Sequence, residues 1–340
     1  MQPELHGVHF QLTRNCNLRC RMCGQWGVHG YQRGHLGEPE LTCDDWFRII
    51  DELPPALHVS LWGGEPFVSP HCLEIARRLQ RRGFRTSIVT NGVLLGKYAP
   101  EMSGLFSTLF VSVDGTAPIH DGIRGTAGTF ERVEAGIRAL RERLPGQRLC
   151  IKTTLVRENL GDLARLAPHI RTWQVDRWSL DPQMFLSAAR SQGYAAFQRS
   201  LGVDQVTALS WQDEFDSGYG TRVAAAVASL MAANPDLAIA IGGGGMVPEE
   251  LVDWSDTPDA DLTAHPCLAP CRRLSIQSNG NTSFCLDITD GTLGNVKEQS
   301  VDQIFHSPAA TRFRAAILAG ENPACIRCAW KCQPPEQWEQ

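Results

Sequence analysis

Several features that mark common protein classes are missing from this 340-residue sequence. No run of about 18 apolar residues occurs, so we expect no transmembrane helix. The first ten residues lack a basic start followed by an apolar core, which is the mark of a secretory signal. Positive charge is not in excess, because 32 Lys and Arg face 37 Asp and Glu, whereas general nucleic-acid binders are normally basic. We therefore expect a cytoplasmic protein that binds neither membrane nor nucleic acid.

Cysteine, by contrast, is abundant, with 12 residues in the chain. Disulfides are rare in a reducing cytoplasm, so this number indicates metal binding or redox chemistry. Three cysteines lie close together near the N-terminus and six lie near the C-terminus. The remaining three, which we interpret as small buried hydrophobic side chains, are Cys43, Cys72 and Cys150.

Strand-like and helix-like segments alternate along the first half of the chain. Short apolar runs predict strands at residues 8–12, 57–62, 84–89, 109–113, 149–156 and 175–180. Amphipathic patterns predict helices at residues 41–53, 71–82, 129–144 and 160–170, the first with Thr42 as its N-cap. This alternation indicates repeated βα units around a parallel sheet. Six units favour a partial barrel over an open sheet, although periodicity alone does not separate the two.

Glycines and polar residues follow the predicted strands at the points where they end. In parallel α/β folds, ligands bind at the carboxyl ends of the strands, so these loops should converge on one site. The segments concerned are Gly63-Gly64-Glu65-Pro66, Thr90-Asn91-Gly92 and Asp114-Gly115.

The N-terminal cysteines have the spacing C-x3-C-x2-C and come directly after the first predicted strand, at Cys16, Cys20 and Cys23. A structural zinc site needs four protein ligands, whereas a [4Fe–4S] cluster held by three thiolates keeps one iron open to another ligand. Two alternatives stay open on spacing alone. One is a zinc site that includes His29 or His35, and the other is a set of unconnected cysteines.

Together these segments resemble the radical S-adenosylmethionine (radical SAM) superfamily, in the branch that carries a C-terminal SPASM or twitch domain. The resemblance is carried by the cysteine triplet, by Gly-Gly-Glu-Pro after the second strand, and by three later segments. They are Val89-Thr-Asn-Gly92, Ser112-Val-Asp-Gly115, and His120-Asp-Gly-Ile-Arg-Gly125 ahead of Gly128-Thr-Phe130. The resemblance implies an α/β fold, a partial (β/α)6 barrel of the TIM type, followed by a small cysteine-rich α+β iron–sulfur domain.

The resemblance also implies roles for individual residues. The three N-terminal cysteines match the ligands of the cluster whose open iron binds S-adenosylmethionine. The segment Gly63–Pro66 (Gly63, Gly64, Glu65 and Pro66) matches the one that holds the methionine amino group, and Asn91 belongs to the same cofactor-binding set.

The other cofactor contacts lie further along the chain. Ser112 and Asp114 match positions near the ribose, and Arg124 matches a site that pairs with the methionine carboxylate. Met22 stands where the family usually has an aromatic residue, and it would pack against adenine. The alternatives are an N-cap role for Asp114 and a surface salt bridge for Arg124.

Six cysteines near the C-terminus resemble the SPASM/twitch pattern, in which a hairpin presents cysteines and a Cys-x2-Cys segment returns to it. A full SPASM domain carries seven cysteines, so we expect one auxiliary [4Fe–4S] cluster, with two clusters or a zinc ribbon as alternatives. The first set to consider is Cys285, Cys325 and Cys328 with Cys267 or Cys271; the sixth cysteine is Cys332, which is also a candidate hydrogen donor.

Asp287 lies two residues past Cys285, near where related enzymes place a base beside the substrate. Its alternative role is to cap a turn. The predicted organisation is a barrel over residues 1–235, a linker over 236–265 and an auxiliary domain over 266–340.

The resemblance implies an enzyme that cleaves S-adenosylmethionine reductively to a 5′-deoxyadenosyl radical, which abstracts a substrate hydrogen atom. A flavodoxin- or ferredoxin-type protein would supply the electron. The first reading of the substrate is a peptide that is modified after translation. The second is a sugar-like small molecule that is oxidised or epimerised. A function of another class, a non-enzymatic iron–sulfur electron carrier, stays open.

Overall fold

A computed structural model of the chain describes residues 2–27, 30–32, 37–203, 210–242, 245–262, 267–290, 292–326 and 328–329. Nine strands form one sheet in the order β7-β6-β5-β4-β3-β2-β1-β8-β9. All neighbouring strands are parallel except β8 and β9, which form an antiparallel hairpin. The strands are β1 (Gly7–Gln11), β2 (His58–Trp62), β3 (Arg85–Thr90), β4 (Thr108–Ser112), β5 (Leu149–Leu155), β6 (Arg177–Pro182), β7 (Ile239–Ile241), β8 (Arg273–Ile276) and β9 (Thr282–Ser283).

Helices connect the parallel strands and cover the outer face of the sheet. The described helices are α1 (Cys43–Glu52), α2 (Cys72–Arg81), α3 (Leu95–Tyr98), α4 (Ala117–Arg124), α5 (Thr129–Arg143), α6 (Leu163–Thr172), α7 (Ala188–Ser200), α8 (Tyr219–Ala233), α9 (Glu250–Asp256), α10 (Ala269–Arg272), α11 (Val301–Phe305) and α12 (Pro308–Leu318). The prediction of an α/β fold with a partial barrel and a small cysteine-rich C-terminal domain is confirmed. No helix in the described ranges is long and apolar enough to cross a bilayer.

Side chains on the two faces of each strand alternate between apolar and polar. On β5, Ile151 and Leu155 are almost fully buried in the hydrophobic core, whereas Lys152 and Thr154 point to the other face and stay partly exposed. Asp181 on β6 lies opposite Thr154 in the strand register, so the same face continues on the next strand. Because the helices pack on the apolar face, the polar face lines the interior of the barrel.

Local sequence signals account for the first helix. Thr42 accepts a hydrogen bond from the backbone N–H of Asp45, whose carboxylate accepts one in return from the backbone of Thr42. This capping box satisfies two backbone donors that a helix start leaves without partners, and it confirms Thr42 as the N-cap. The burial of Trp46, Ile49 and Ile50 on the same helix anchors its inner face.

The structure adds elements in the region where the sequence pattern is loose. Strand β7 and helix α9 both lie inside the stretch predicted to be a linker. Helix α9 is held because Leu251 and Trp254 are buried and the Trp254 indole donates a hydrogen bond to the Gln183 carbonyl, 3.0 Å away. Strands β8 and β9 form a hairpin around Gly280, and β8 pairs with β1, so the sheet runs continuously into the cysteine-rich segment.

Candidate active site

The three N-terminal cysteines lie in one loop that begins directly after β1. Cys20 is buried, and Cys16 and Cys23 are partly buried. The backbone N–H of Leu18 points at the Cys16 sulfur, 3.4 Å away. Burial raises the pKa of the Cys16 thiol to about 12, and it also raises the pKa of Cys23. The neighbouring sulfurs add to both shifts, because they disfavour a second negative charge. The loop therefore holds three buried or partly buried thiols, which become thiolates when a cation is present to balance them.

The loop after β2 runs directly against the cysteine loop, backbone to backbone. A Cβ on Gly63 would lie 2.5 Å from the Thr13 carbonyl oxygen, and one on Gly64 would lie 2.3 Å from that of Asn15. The glycines are required here because two protein segments touch, and larger side chains would push the loops apart.

Glu65 fastens three loops together by a buried carboxylate. It accepts hydrogen bonds from the Thr90 hydroxyl and the Asn91 backbone N–H, both at 2.7 Å, and from the Phe67 N–H at 3.1 Å. Its own N–H donates to the Asn15 carbonyl. Burial raises the pKa of Glu65 to about 7, although these donors oppose the shift. The Glu65 carboxylate thus fixes the positions of these loops, and the backbone of the segment Gly63–Pro66 contacts the cysteine loop.

Asn91 joins the loop after β3 to the cysteine loop. Its side-chain N–H2 donates to the side-chain oxygen of Asn17, 2.8 Å away, and lies 3.9 Å from the Cys16 sulfur. The segments after β1, β2 and β3 therefore converge, as the sequence analysis expects from the parallel strand order.

Arg124 and Asp114 form a buried ion pair beside the cysteines. The guanidinium lies 2.6 Å from the Asp114 carboxylate, and its other terminal nitrogen lies 3.6 Å from the Cys20 sulfur. Asp114 also accepts a hydrogen bond from the Thr154 N–H at 3.0 Å. Both side chains are at most 8% exposed, so the interpretation of Arg124 as a surface salt bridge is wrong. The N-cap of α4 is Thr116, so Asp114 is not a cap either.

Three donors or acceptors near this ion pair remain available to a ligand. The Nε of Arg124 and the Nε2 of His120 are buried and have no hydrogen-bond partner among the residues that the structure describes. The Ser112 hydroxyl, at the end of β4, is partly exposed. Met22 is partly buried in the cysteine loop. An unpaired buried donor is costly, so the environment of Arg124 fits an anionic group that would complete it.

The C-terminal cysteines are only partly described. Cys285 follows β9 and is exposed as a residue, whereas desolvation of its sulfur, with smaller contributions from Asp287 and Cys328, raises the pKa of its thiol to about 12. Cys271 is buried at the end of α10, whereas Cys267, Cys325 and Cys328 are partly buried. Cys332 lies outside the described residues, as do His29 and His35 of the alternative zinc site. Cys285 and Cys328 thus influence each other electrostatically.

Asp287 interacts electrostatically with an ion pair inside the barrel, and the sequence analysis missed both partners of that pair. The Lys152 ammonium lies 2.6 Å from the Asp181 carboxylate. Burial raises the pKa of Asp287 to about 6, and Lys152 opposes the shift while Asp181 adds to it. The Asp287 side chain makes no hydrogen bond to any described residue, so it caps no turn there. A lysine within an otherwise uncharged strand was the signal that could have identified this cluster.

Trp211 is a second residue that the sequence analysis missed, and it bridges the two cysteine segments. Its ring packs on Gly24, which follows Cys23, so closely that a Cβ there would lie 2.4 Å from a ring carbon. Its indole N–H donates to the Asp287 carbonyl at 3.0 Å. One side chain therefore contacts both the N-terminal cysteine loop and the segment after Cys285. No local pattern marks it, because both contacts depend on distant parts of the chain.

Comparison with known families decides what this arrangement belongs to. Residues 10–167 match the model of the radical SAM superfamily, and residues 267–333 match SPASM, an iron–sulfur cluster-binding domain. This chain carries a radical SAM domain followed by a SPASM domain. The resemblance read from the motifs is confirmed, in the branch that carries a SPASM domain.

Two curated relatives align with less than half of this chain. An AdoMet-dependent heme synthase of Methanosarcina barkeri is 37% identical over 166 residues, which cover 46% of this chain and 45% of the relative. A PqqA peptide cyclase of Ruegeria pomeroyi is 33% identical over 162 residues, covering 46% of this chain and 41% of the relative. The chain thus aligns with less than half the length of these curated relatives.

A solved structure shows that the fold continues through both halves. Streptococcus suis SuiB bound to the precursor peptide SuiA superposes with a TM-score of 0.63 and 16% identity, covering 92% of this chain and 67% of SuiB. At that identity the likeness establishes the fold alone.

The radical SAM domain implies S-adenosylmethionine and a [4Fe–4S] cluster as cofactors, and the SPASM domain implies auxiliary iron–sulfur ligation. The residues fit these groups. Three thiols share one loop, Arg124 supplies positive charge beside Cys20, and its Nε has no hydrogen-bond partner among the described residues. Cysteine is also the ligand type that iron–sulfur clusters use.

Proposed function

We propose that this radical SAM enzyme modifies a peptide, with Cys16, Cys20 and Cys23 holding the cluster. When bound and reduced, the cluster and S-adenosylmethionine supply a 5′-deoxyadenosyl radical that abstracts a hydrogen atom from the substrate. A flavodoxin- or ferredoxin-type donor would provide the electron. The protein provides orientation and a closed site, because the loops after β1, β2 and β3 are fastened to one another around the cysteines.

The cofactor would lie against side chains that already converge on the cysteine loop. Arg124 would pair with the methionine carboxylate through donors that its ion pair with Asp114 leaves over. Ser112, partly exposed at the end of β4, would contact the ribose, and Met22 would contact the adenine. The Gly63–Pro66 segment and Asn91 complete the set. Asp114 then acts through Arg124, since it already binds that residue and the Thr154 N–H.

The observation that favours a peptide is that two cations of the barrel interior are already paired with carboxylates of the protein. Lys152 and Arg124 each lie 2.6 Å from a carboxylate of their own, and Asp287 adds a further acidic group. The name of the heme synthase relative suggests a tetrapyrrole as the other substrate class. A tetrapyrrole carries several carboxylates and would need cations that are free to bind them. The described interior instead suits a neutral or cationic group, such as a peptide backbone with polar side chains. The peptide cyclase relative and the peptide-bound SuiB structure agree with this choice.

In this proposal Asp287 accepts the substrate proton, because its side chain makes no hydrogen bond to a described residue and interacts with the charge of Lys152. The auxiliary site would be built by Cys285 and Cys328 with Cys325 and either Cys267 or Cys271, one cluster being the expected number. That cluster would take the second electron of an oxidation.

The test is co-expression of the enzyme with each short peptide encoded beside its gene, followed by mass spectrometry of the peptide. We expect a mass change with the parent enzyme and none with the Cys16→Ala variant. Asp287→Asn should lower conversion of the peptide while formation of 5′-deoxyadenosine continues. A sugar-like small molecule that is converted while every peptide stays unchanged would contradict the peptide proposal. It would favour oxidation or epimerisation of that molecule.

A further inference from the structure

Cys43, which the sequence analysis interpreted as a buried hydrophobic side chain, is partly exposed in the structure. Cys72 and Cys150 are each 2% exposed, as expected, but Cys43 at the start of α1 is only partly buried. Its sulfur lies 3.5 Å from a carboxylate oxygen of Glu74, on the first turn of α2. A third ligand type is present as well, because His71 is the N-cap residue of α2.

The ligand atoms of these three side chains converge. The Cys43 sulfur, a ring nitrogen of His71 and a carboxylate oxygen of Glu74 all lie within 4.8 Å of one another. Zinc binds cysteine sulfur at about 2.3 Å and carboxylate oxygen at about 2.0 Å, so a tetrahedral ion separates those two atoms by about 3.5 Å. This is the separation seen between Cys43 and Glu74. No other group of this kind occurs within the described ranges of the chain.

The surroundings leave these ligands available. The two arginines that follow Glu74 on α2 bind other carboxylates, Arg77 pairing with Glu101 at 2.6 Å and Arg78 pairing with Asp51. Glu74 forms no ion pair with a described residue, and the His71 ring forms no hydrogen bond to one. All three side chains reach solvent to some extent, so an ion can enter without opening the core.

We propose that Cys43, His71 and Glu74 form a second metal site, separate from the iron–sulfur cysteines, that binds zinc with water in the fourth position. Three protein ligands of the Cys, His and carboxylate types are a set that zinc accepts. The ion would link the first turns of α1 and α2. Helix α2 begins shortly after the Gly63–Pro66 segment, so the ion would hold the helix that follows this part of the candidate active site. The site does not depend on the peptide proposal.

The test uses reconstituted holoenzyme, stripped of loosely bound metal and titrated with zinc chloride against a chelating dye. Iron is counted in parallel, so that zinc entering a cluster site would be seen as lost iron. The variants are Cys43→Ser, His71→Gln and Glu74→Gln, each on the protein surface. Glu142→Gln is the matched control, because it also removes an exposed helical carboxylate but leaves the ion pairs of Arg77 and Arg78 intact.

We expect the parent and Glu142→Gln to bind one zinc ion more per chain than Cys43→Ser, with iron unchanged. Each ligand variant should bind zinc more than about tenfold more weakly, since losing even an outer partner of a metal ligand costs 10–100-fold in affinity. Zinc should raise the apparent melting temperature of the parent and the control only. Equal zinc affinity in all variants, or no zinc bound by the parent, would overturn the site. Formation of 5′-deoxyadenosine, measured on the same samples, reports separately on the radical SAM activity.

Discussion

The contact between Gly24 and Trp211 allows a quantitative prediction about how the two cysteine segments are held together. A Cβ added at Gly24 would lie 2.4, 2.5 and 2.8 Å from three atoms of the Trp211 ring. Carbon atoms prefer about 3.5–4.0 Å, so the ring would have to retreat by about 1 Å. Retreat is opposed, because the indole donates to the Asp287 carbonyl at 3.0 Å and the Trp211 carbonyl accepts from Leu186 at 2.8 Å.

Gly24→Ala should therefore destabilise the protein through overpacking and through a weakened indole hydrogen bond. Overpacking costs about 1–3 kcal/mol and the hydrogen bond about 1 kcal/mol, so we expect a total of about 2–4 kcal/mol. For a chain of this size that lowers the melting temperature by roughly 5 °C. The measurement is calorimetry of the holoenzyme at a fixed scan rate.

A double-mutant cycle isolates the contact itself. In a Trp211→Ala background the added methyl meets no ring, so Gly24→Ala should then cost close to nothing. Gly161→Ala is the matched control, because a Cβ there would meet no atom within 4 Å, and its melting temperature should match that of the parent. If Gly24→Ala destabilises both backgrounds equally, the proposed bridge between the two segments is refuted.

Three further predictions concern other parts of the molecule. Arg124→Gln leaves the buried Asp114 carboxylate without its partner, so we expect a loss of about 3–5 kcal/mol in stability and weaker binding of S-adenosylmethionine; unchanged binding by calorimetry would contradict the role of this arginine. Thr42→Ala removes the N-cap of α1 and should cost about 1 kcal/mol, measured as a lower melting temperature, with no effect on cofactor binding. His58 has its pKa lowered from 6.5 to about 4 by burial and by Arg273, so the unfolded chain binds a proton first and stability falls as the pH drops from about 6.5 to about 4. His58→Gln should flatten that fall in a series of melting temperatures against pH, and an unchanged slope would contradict the shift.

Much of the barrel and the position of the candidate site follow from local sequence signals. The first six strands are short apolar runs, and each observed strand overlaps its predicted range. Because parallel strands end at the same edge, the loops after β1, β2 and β3 could be expected to meet. In the structure, side chains such as Asn91 connect these loops by hydrogen bonds.

Other features could not be read from local patterns because distant contacts create them. Strand β7 has three residues, and its pairing with β6 defines it. The glycines after β2 are explained by contact with a neighbouring loop. Trp211 is explained by contacts with Gly24 and Asp287, which are both more than 70 residues away along the chain. Lys152 could have been identified from the sequence, since a charge in the middle of a strand requires a partner. That Asp181 is this partner follows only from the pairing of β5 with β6 in the structure.

The central claim is that Cys16, Cys20 and Cys23 hold a cluster that cleaves S-adenosylmethionine. The most direct measurement is anaerobic reconstitution with iron and sulfide, followed by incubation with S-adenosylmethionine and dithionite and quantification of 5′-deoxyadenosine. We predict that the parent forms 5′-deoxyadenosine and that Cys16→Ala does not. Absence of the product from the parent, or equal amounts from the parent and the variant, would contradict the account.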